Sequence, residues 1–167
     1  SKAYERLKDF STEIDKARLR PTKFFDIGAS LEDNTRIQLR TFQEAKVEVL
    51  QILNVHHIPK ANRTSKTSYE KEKEKAVKRG VKFRVIYPTN AELPMIIENL
   101  RKRFPKKYQV RRLDTTVARC DIIDRKKVLF KLTHPDPMLF GGTFFLENNN
   151  VARNMIEIFE ELWERAE

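Results

Sequence analysis

The chain predicts an α/β fold: a mixed, mostly parallel sheet flanked by helices and preceded by an N-terminal helix. Three observations carry this. Between residues 30 and 104 helical and strand-like segments alternate, as parallel strands joined by crossover helices require. Between 118 and 132 two apolar runs flank the turn Asp124-Arg125-Lys126-Lys127, which adds antiparallel pairing. The chain then closes on an amphipathic pattern, Val151 to Ala166, of the kind that covers a sheet face.

Each element has its own signal. Tyr4, Leu7, Phe10, Ile14 and Ala17 recur at three- and four-residue steps, an amphipathic helical stripe over residues 1 to 20. The stripe has no convincing start signal and no initiator Met precedes it, so a helix continuing from upstream is the expectation. Ser30 with Asp33 predicts an N-cap and a helix to Ala45. Lys46 to Leu53 reads as a strand, residues 54 to 64 as a loop, and Ser65 to Arg79 as a helix stopped by Gly80 in a left-handed C-cap. Val81 to Tyr87 is a β-branched strand ended by Pro88. Asn90 and Pro94 open a helix to Phe104, with Ile96, Ile97, Leu100 and Phe104 facing inward. Short strands follow at 108–111, in the 118–132 hairpin and at 142–146. In the last helix Val151, Met155, Phe159, Leu162 and Trp163 are the expected buried face, and Gly141-Gly142-Thr143 reads as a bulge or tight turn.

Composition narrows the class. A hydrophobic share of 40% with 11 Phe in 167 residues fits one folded domain with a proper core. No run reaches the roughly 18 apolar residues a membrane span needs, and no apolar leader opens the chain, so a cytoplasmic protein is expected. Cys120, the single cysteine, cannot form an internal disulfide and reads as a small buried hydrophobe. The net charge of +10 favours anionic partners. Basic residues concentrate at 60–79 and in the stretch RKRFPKKYQVRR from Arg101 to Arg112, while the last twenty residues are acidic. The alternating EKEKEK of 70–75 reads as solvated helix surface.

The stretch TVARCDIIDRKKVLFKL, Thr116 to Leu132, resembles the active-site hairpin of the phospholipase D superfamily, whose motif is histidine, any residue, lysine, four residues, aspartate. Laid on Asp124, that spacing puts Val117 at the nucleophilic histidine and Arg119 at the lysine. Valine neither attacks phosphorus nor carries a proton, so the resemblance implies a phospholipase D-like fold without catalysis. Ala45 to Leu53 followed by AVKRGVKFRVIY resembles one half of a phospholipase D-like domain, and the ending NNNVARNMIEIFEELWERA is similar to the closing helix of archaeal transcription regulators of the TrmB type. The likeness spans about residues 35 to 167. It implies an N-terminal winged helix outside this sequence that binds DNA, a linker helix at 1–20 that makes a homodimer, and a small-molecule-sensing domain at 21–167. Sugar-sensing members have a further C-terminal segment and this chain stops at Glu167, which argues against a sugar as the small-molecule effector.

Pairing Asp124 with Lys127 across the turn sets Ala118 opposite Thr133 and Val117 opposite His134. That register gathers Arg119, Thr133 and His134, and an arginine there can hold a carboxylate or phosphate in bidentate fashion. His134, in THPDP, can equally be a loop histidine with a structural hydrogen bond. Asn54 and His56, after the first long strand, and Tyr87, after the next, share the sheet edge where open α/β sheets collect ligands. Thr116 opens the hairpin and completes the candidate ligand set. Adjacent His56 and His57 point apart and no Cys or carboxylate completes a metal spacing, so neither metal nor cofactor is expected. Asp121 reads as a polar residue on a half-exposed strand and Asp124 as a turn residue. The alternative function is a nucleic-acid-binding module using its basic surface directly; against it, only Phe104 and Tyr108 lie near the basic clusters as possible stacking residues.

Overall fold

The computed structural model describes residues 1–19, 24–54, 68–133 and 140–167. Among these, helix α1 (Lys2–Leu19) is followed by β1 (Phe25–Gly28), α2 (Leu31–Glu44), β2 (Glu48–Ile52), α3 (Ser68–Arg79), β3 (Lys82–Tyr87) and α4 (Met95–Arg103). Then come β4 (Tyr108–Arg112), β5 (Cys120–Ile123), β6 (Lys127–Thr133), β7 (Phe140–Glu147) and α5 (Asn149–Arg165). The local signals do what their chemistry requires. The Ser30 hydroxyl accepts from the Asp33 N–H and caps α2, and Asn148 caps α5 through the N–H groups of Asn150 and Val151. Gly80 ends α3 at φ 105°, a conformation that disfavours side chains.

The seven described strands form one sheet in the order β1-β7-β6-β5-β2-β3-β4. It is mixed, as predicted, but the expected mostly parallel character holds only for β2, β3 and β4. The other neighbours pair antiparallel. The reason lies in the connections: α3 and α4 each carry the chain between adjacent strands and return it parallel, whereas among the described residues beyond β4 no helix intervenes until α5 and the strands turn back on one another. Strand β1 has no counterpart in the sequence reading. Its four residues, FDIG, offer a single β-branched side chain, and it is held by pairing with β7.

Alternation along the strands divides the core in two. Val49, Phe83, Val85, Tyr108 and Leu129 face α2, α3 and α4, while Leu50, Ile52, Ile86, Cys120, Ile122 and Val128 face α5. Helix α5 buries Ala152, Ile156, Phe159, Leu162 and Trp163, so Val151 and Met155 lie at the rim of its apolar face rather than at its centre. Ile96, Ile97 and Leu100 are buried as expected, with Phe104 half-buried beside them. Cys120 is buried, and burial pushes its thiol up to about 12. A bulge does occur at the glycine pair: Leu132 pairs with Gly142 but Thr133 pairs with Phe140, leaving Gly141 extra. On α1 the side chains of Tyr4, Leu7 and Phe10 are about two-thirds exposed. Among the described residues no helix is long and apolar enough to cross a membrane.

Candidate functional site

The hairpin of β5 and β6 positions the site, and its register differs from the expected one. Ile123 pairs with Lys127 and Cys120 with Phe130, so three residues, not two, make the turn. Asp124 and Arg125 adopt left-handed conformations at φ 52° and 60°. Asp124 is thus a turn residue, but its carboxylate does more: it accepts the backbone N–H groups of Lys46, Val47 and Glu48 at 2.8–3.2 Å. That ties the turn to the start of β2. The one-residue slip removes the predicted pairings of Ala118 with Thr133 and of Val117 with His134. It sets Arg119 beside Lys131 instead, with the Lys131 N–H donating to the Arg119 carbonyl at 2.9 Å.

Asp121 is the largest departure from the sequence reading. It is fully buried rather than half-exposed, because it points to the face under α2 and α3. Its carboxylate receives the Lys131 ammonium at 2.9 Å, the Gln38 amide at 2.9 Å and the Gln51 amide at 3.0 Å. Burial pushes its carboxyl up, but the Lys131 charge and the hydrogen bonds from Gln38, Lys131 and Gln51 outweigh this and hold it below the ordinary carboxylate range. Lys73 and Glu74 also correct the reading of 70–75 as solvated surface: both are buried. Lys73 lies over the Phe42 ring and within 3.5 Å of the Tyr108 hydroxyl. The signal that could have found it is its spacing, four residues from both Tyr69 and Val77 on one face of α3.

Three cations, Lys73, Arg119 and Lys131, therefore lie within electrostatic reach of the Asp121 carboxylate, and Glu70 acts on Lys73 as well. Desolvation, then the repulsion of Lys131 and Arg119, brings Lys73 down to about 7. Desolvation brings Lys131 down to about 8 despite its bond to Asp121. Burial lowers Arg119 as well, opposed by Asp121. Tyr87, also buried, hydrogen-bonds Tyr108, and desolvation raises both phenols. The side-chain oxygen of Gln51 is buried without a hydrogen-bond partner among the described residues.

Of the predicted site residues, Tyr87 and Arg119 belong to this cluster through their mutual electrostatic contact. Asn54 joins its edge, donating from Nδ2 to the Val117 carbonyl at 3.1 Å. Thr116 is exposed just before it, and Thr133 is the last residue of β6. His56 and His134 lie outside the described residues. Among the described residues no group of three or more His, Cys, Asp or Glu side chains could hold a metal ion.

A depressed lysine gives stability a definite pH slope. Between the folded values near 7 and 8 and the ordinary 10.5, the unfolded chain holds protons that the folded chain has released, so stability rises with pH. Cys120 acts in the opposite sense above its ordinary value of 9.0, because the folded chain keeps a proton that the unfolded chain loses. The melting temperature is therefore expected to climb by at least about 3 °C from pH 7 to pH 9. Circular-dichroism melts across that range check it; a fall between pH 7 and 9 would mean that the lysines titrate normally.

The fold is phospholipase D-like, with a mixed seven-stranded sheet, and the buried polar cluster sits under α2 and α3 on it. No protein-family profile matches the chain, and no curated protein does. Solved structures do. TrmBL2, described as an archaeal chromatin protein with a novel mode of DNA binding, superposes with a TM-score of 0.66 at 23% identity, over 99% of this chain and 61% of that one. Nuc from Salmonella typhimurium, a phospholipase D family member, gives 0.63 at 15% identity over 86% of this chain and 95% of that one. NucT from Helicobacter pylori gives 0.63 at 11% identity over 85% and 96%. The chain thus spans about three fifths of the TrmBL2 chain and nearly the whole of the two others.

Proposed function

We propose that this chain is a ligand-sensing and dimerising domain of a transcription regulator of the TrmB type, with no phosphodiesterase activity of its own. The observation that supports it most is the buried cluster of Lys73, Arg119 and Lys131 near the Asp121 carboxylate, on the hairpin that the phospholipase D resemblance singles out. Val117 stands at the nucleophile position, so nothing there attacks phosphorus. What the cluster retains is three cationic side chains in a low-dielectric setting, which suits a small carboxylated or phosphorylated effector. Arg119 and Tyr87 are the proposed contacts of that effector, with Asn54 and Thr116 beside them; Thr133, His56 and His134 complete the candidate set by sequence position. Sequence-specific reading of DNA is left, as in the family resembled, to a winged helix. Thermal-shift measurements with inorganic phosphate, citrate and a panel of sugar phosphates test this, beside a generic phosphodiester assay. Stabilisation by at least one anion and no turnover are expected; turnover above buffer would overturn the reading.

Dimerisation is assigned to residues 1–20. Tyr4, Leu7 and Phe10 present a continuous apolar stripe to solvent, and such a stripe is stably covered by a second copy of itself. Sedimentation is expected to give a dimer for this chain and a monomer for one starting at Pro21. Monomers in both cases would remove the assignment.

A further inference from the structure

A group of lysines lies at the end of the sheet opposite the proposed effector site. Strands β2, β3 and β4 all start there, and the β5–β6 turn is bound to the same end through Asp124. Carboxylates at this end are already engaged: Glu44 with Lys127, Glu48 with Arg125, and Glu74 with both Lys78 and Arg103. Arg79 is likewise committed, donating to the carbonyls of Phe42, Gln43 and Ala45 at the end of α2.

Six lysines are left over. Lys46 precedes β2, Lys82 opens β3, Lys106 and Lys107 precede β4, Lys102 lies in the last turn of α4 and Lys126 in the hairpin turn. Among the described residues none of the six has a carboxylate within ion-pair distance, and all are exposed except Lys107, which is half-buried. Cations in the last turns of helices complement the helix dipole and need no partner. That accounts for Lys102 at most, since the other five are not helical. The backbone fixes their neighbourhood: the Lys82 N–H donates to the Val47 carbonyl, and the Phe83 N–H donates to the Lys107 carbonyl. Adjacent strands are about 4.8 Å apart, so the row from the turn across β2 and β3 to β4 spans about 14 Å.

We propose that this row docks on the phosphate backbone of a nucleic-acid duplex, giving the chain a DNA-contacting surface of its own beside any winged helix. Lysine ammonium groups suit this as point charges, and their spread over four elements suits a regular polyanion better than a compact acidic peptide. A single-strand platform is disfavoured, since the nearest aromatic, Phe104, is half-buried beneath the Arg103 guanidinium. Insertion into a lipid surface is disfavoured too: Val47 is the large hydrophobic exposed along the row.

Fluorescence anisotropy with a labelled mixed-sequence duplex of about 20 base pairs, titrated over a range of KCl concentrations, tests the proposal. The triple variant Lys82→Gln, Lys106→Gln, Lys107→Gln is expected to weaken binding at low salt by at least about tenfold and to flatten the log Kd against log salt slope by about 2–3. An independent variant, Lys46→Gln with Lys126→Gln, should flatten it by about 1–2. The control Lys2→Gln, Arg6→Gln, Lys8→Gln removes the same charge from exposed positions of α1 and should bind as the wild type does. Equal weakening in the control, no salt-dependent binding at all, or binding to phosphatidylserine-containing vesicles without binding to the duplex would each overturn the proposal.

Discussion

Asp121→Ala is expected to destabilise the protein by about 3–5 kcal/mol, the usual cost of removing one partner from a buried ion pair. The carboxylate is fully buried and is the acceptor for three side-chain donors, from Lys131, Gln38 and Gln51. Its loss leaves those donors facing Ala in a site that already holds the charges of Lys73 and Arg119. With Lys131 already lowered to about 8, the cheapest response open to the variant is to release that proton. The variant is therefore expected to gain stability with rising pH more steeply than the wild type does. Urea unfolding at pH 7 and pH 9 measures both effects. In a double variant with Asp121→Leu and Lys131→Met most of the loss should return, because both charges are then gone. A loss under about 1 kcal/mol for Asp121→Ala would show that water reaches the cluster and replaces the carboxylate.

Much of the architecture was legible because its signals are local. Ser30, Gly80, the 3.6-residue stripe of α5 and the β-branched run of β3 each dictate their own element, and the alternation between Ser30 and Phe104 implies the parallel strands. What escaped the sequence is what depends on pairing partners. Strand β1 exists through β7, and the hairpin register depends on a turn in which Asp124 and Arg125 both take positive φ, costly conformations for non-glycine residues. Asp124 offsets that cost with its bonds to three backbone N–H groups of a segment 76 to 78 residues away, which no local pattern reveals.

The buried polar cluster was only partly legible in the sequence. Arg119 was placed by motif spacing, and it does lie beside the buried cluster. Its neighbours were not foreseen, because a one-residue error in register exchanges the faces of a strand and hid Lys131 behind Arg119. Asp121 was misread for a related reason. On an antiparallel strand a lone aspartate usually faces water, but β5 has neighbours on both sides and helices over both faces.

Arg119→Ala is expected to abolish anion-dependent stabilisation while leaving the ligand-free protein folded. Removing a charged hydrogen-bond partner from a bound anion costs about 2–5 kcal/mol, a loss of more than tenfold in affinity. A core role for the side chain predicts the reverse, a lowered melting temperature with the anion response intact. The electrostatics separate the two more sharply than truncation alone. The charge of Arg119 is among the causes that hold Lys73 and Lys131 low. Taking it away relieves that repulsion, so the ligand-free variant should show a shallower rise in melting temperature between pH 7 and 9. Thermal-shift titration of both proteins with inorganic phosphate, citrate and sugar phosphates, at pH 7 and pH 9, reads all of this in one experiment. If the best anion stabilises wild type and variant equally, Arg119 is outside the site and the effector pocket must be sought elsewhere on the sheet edge.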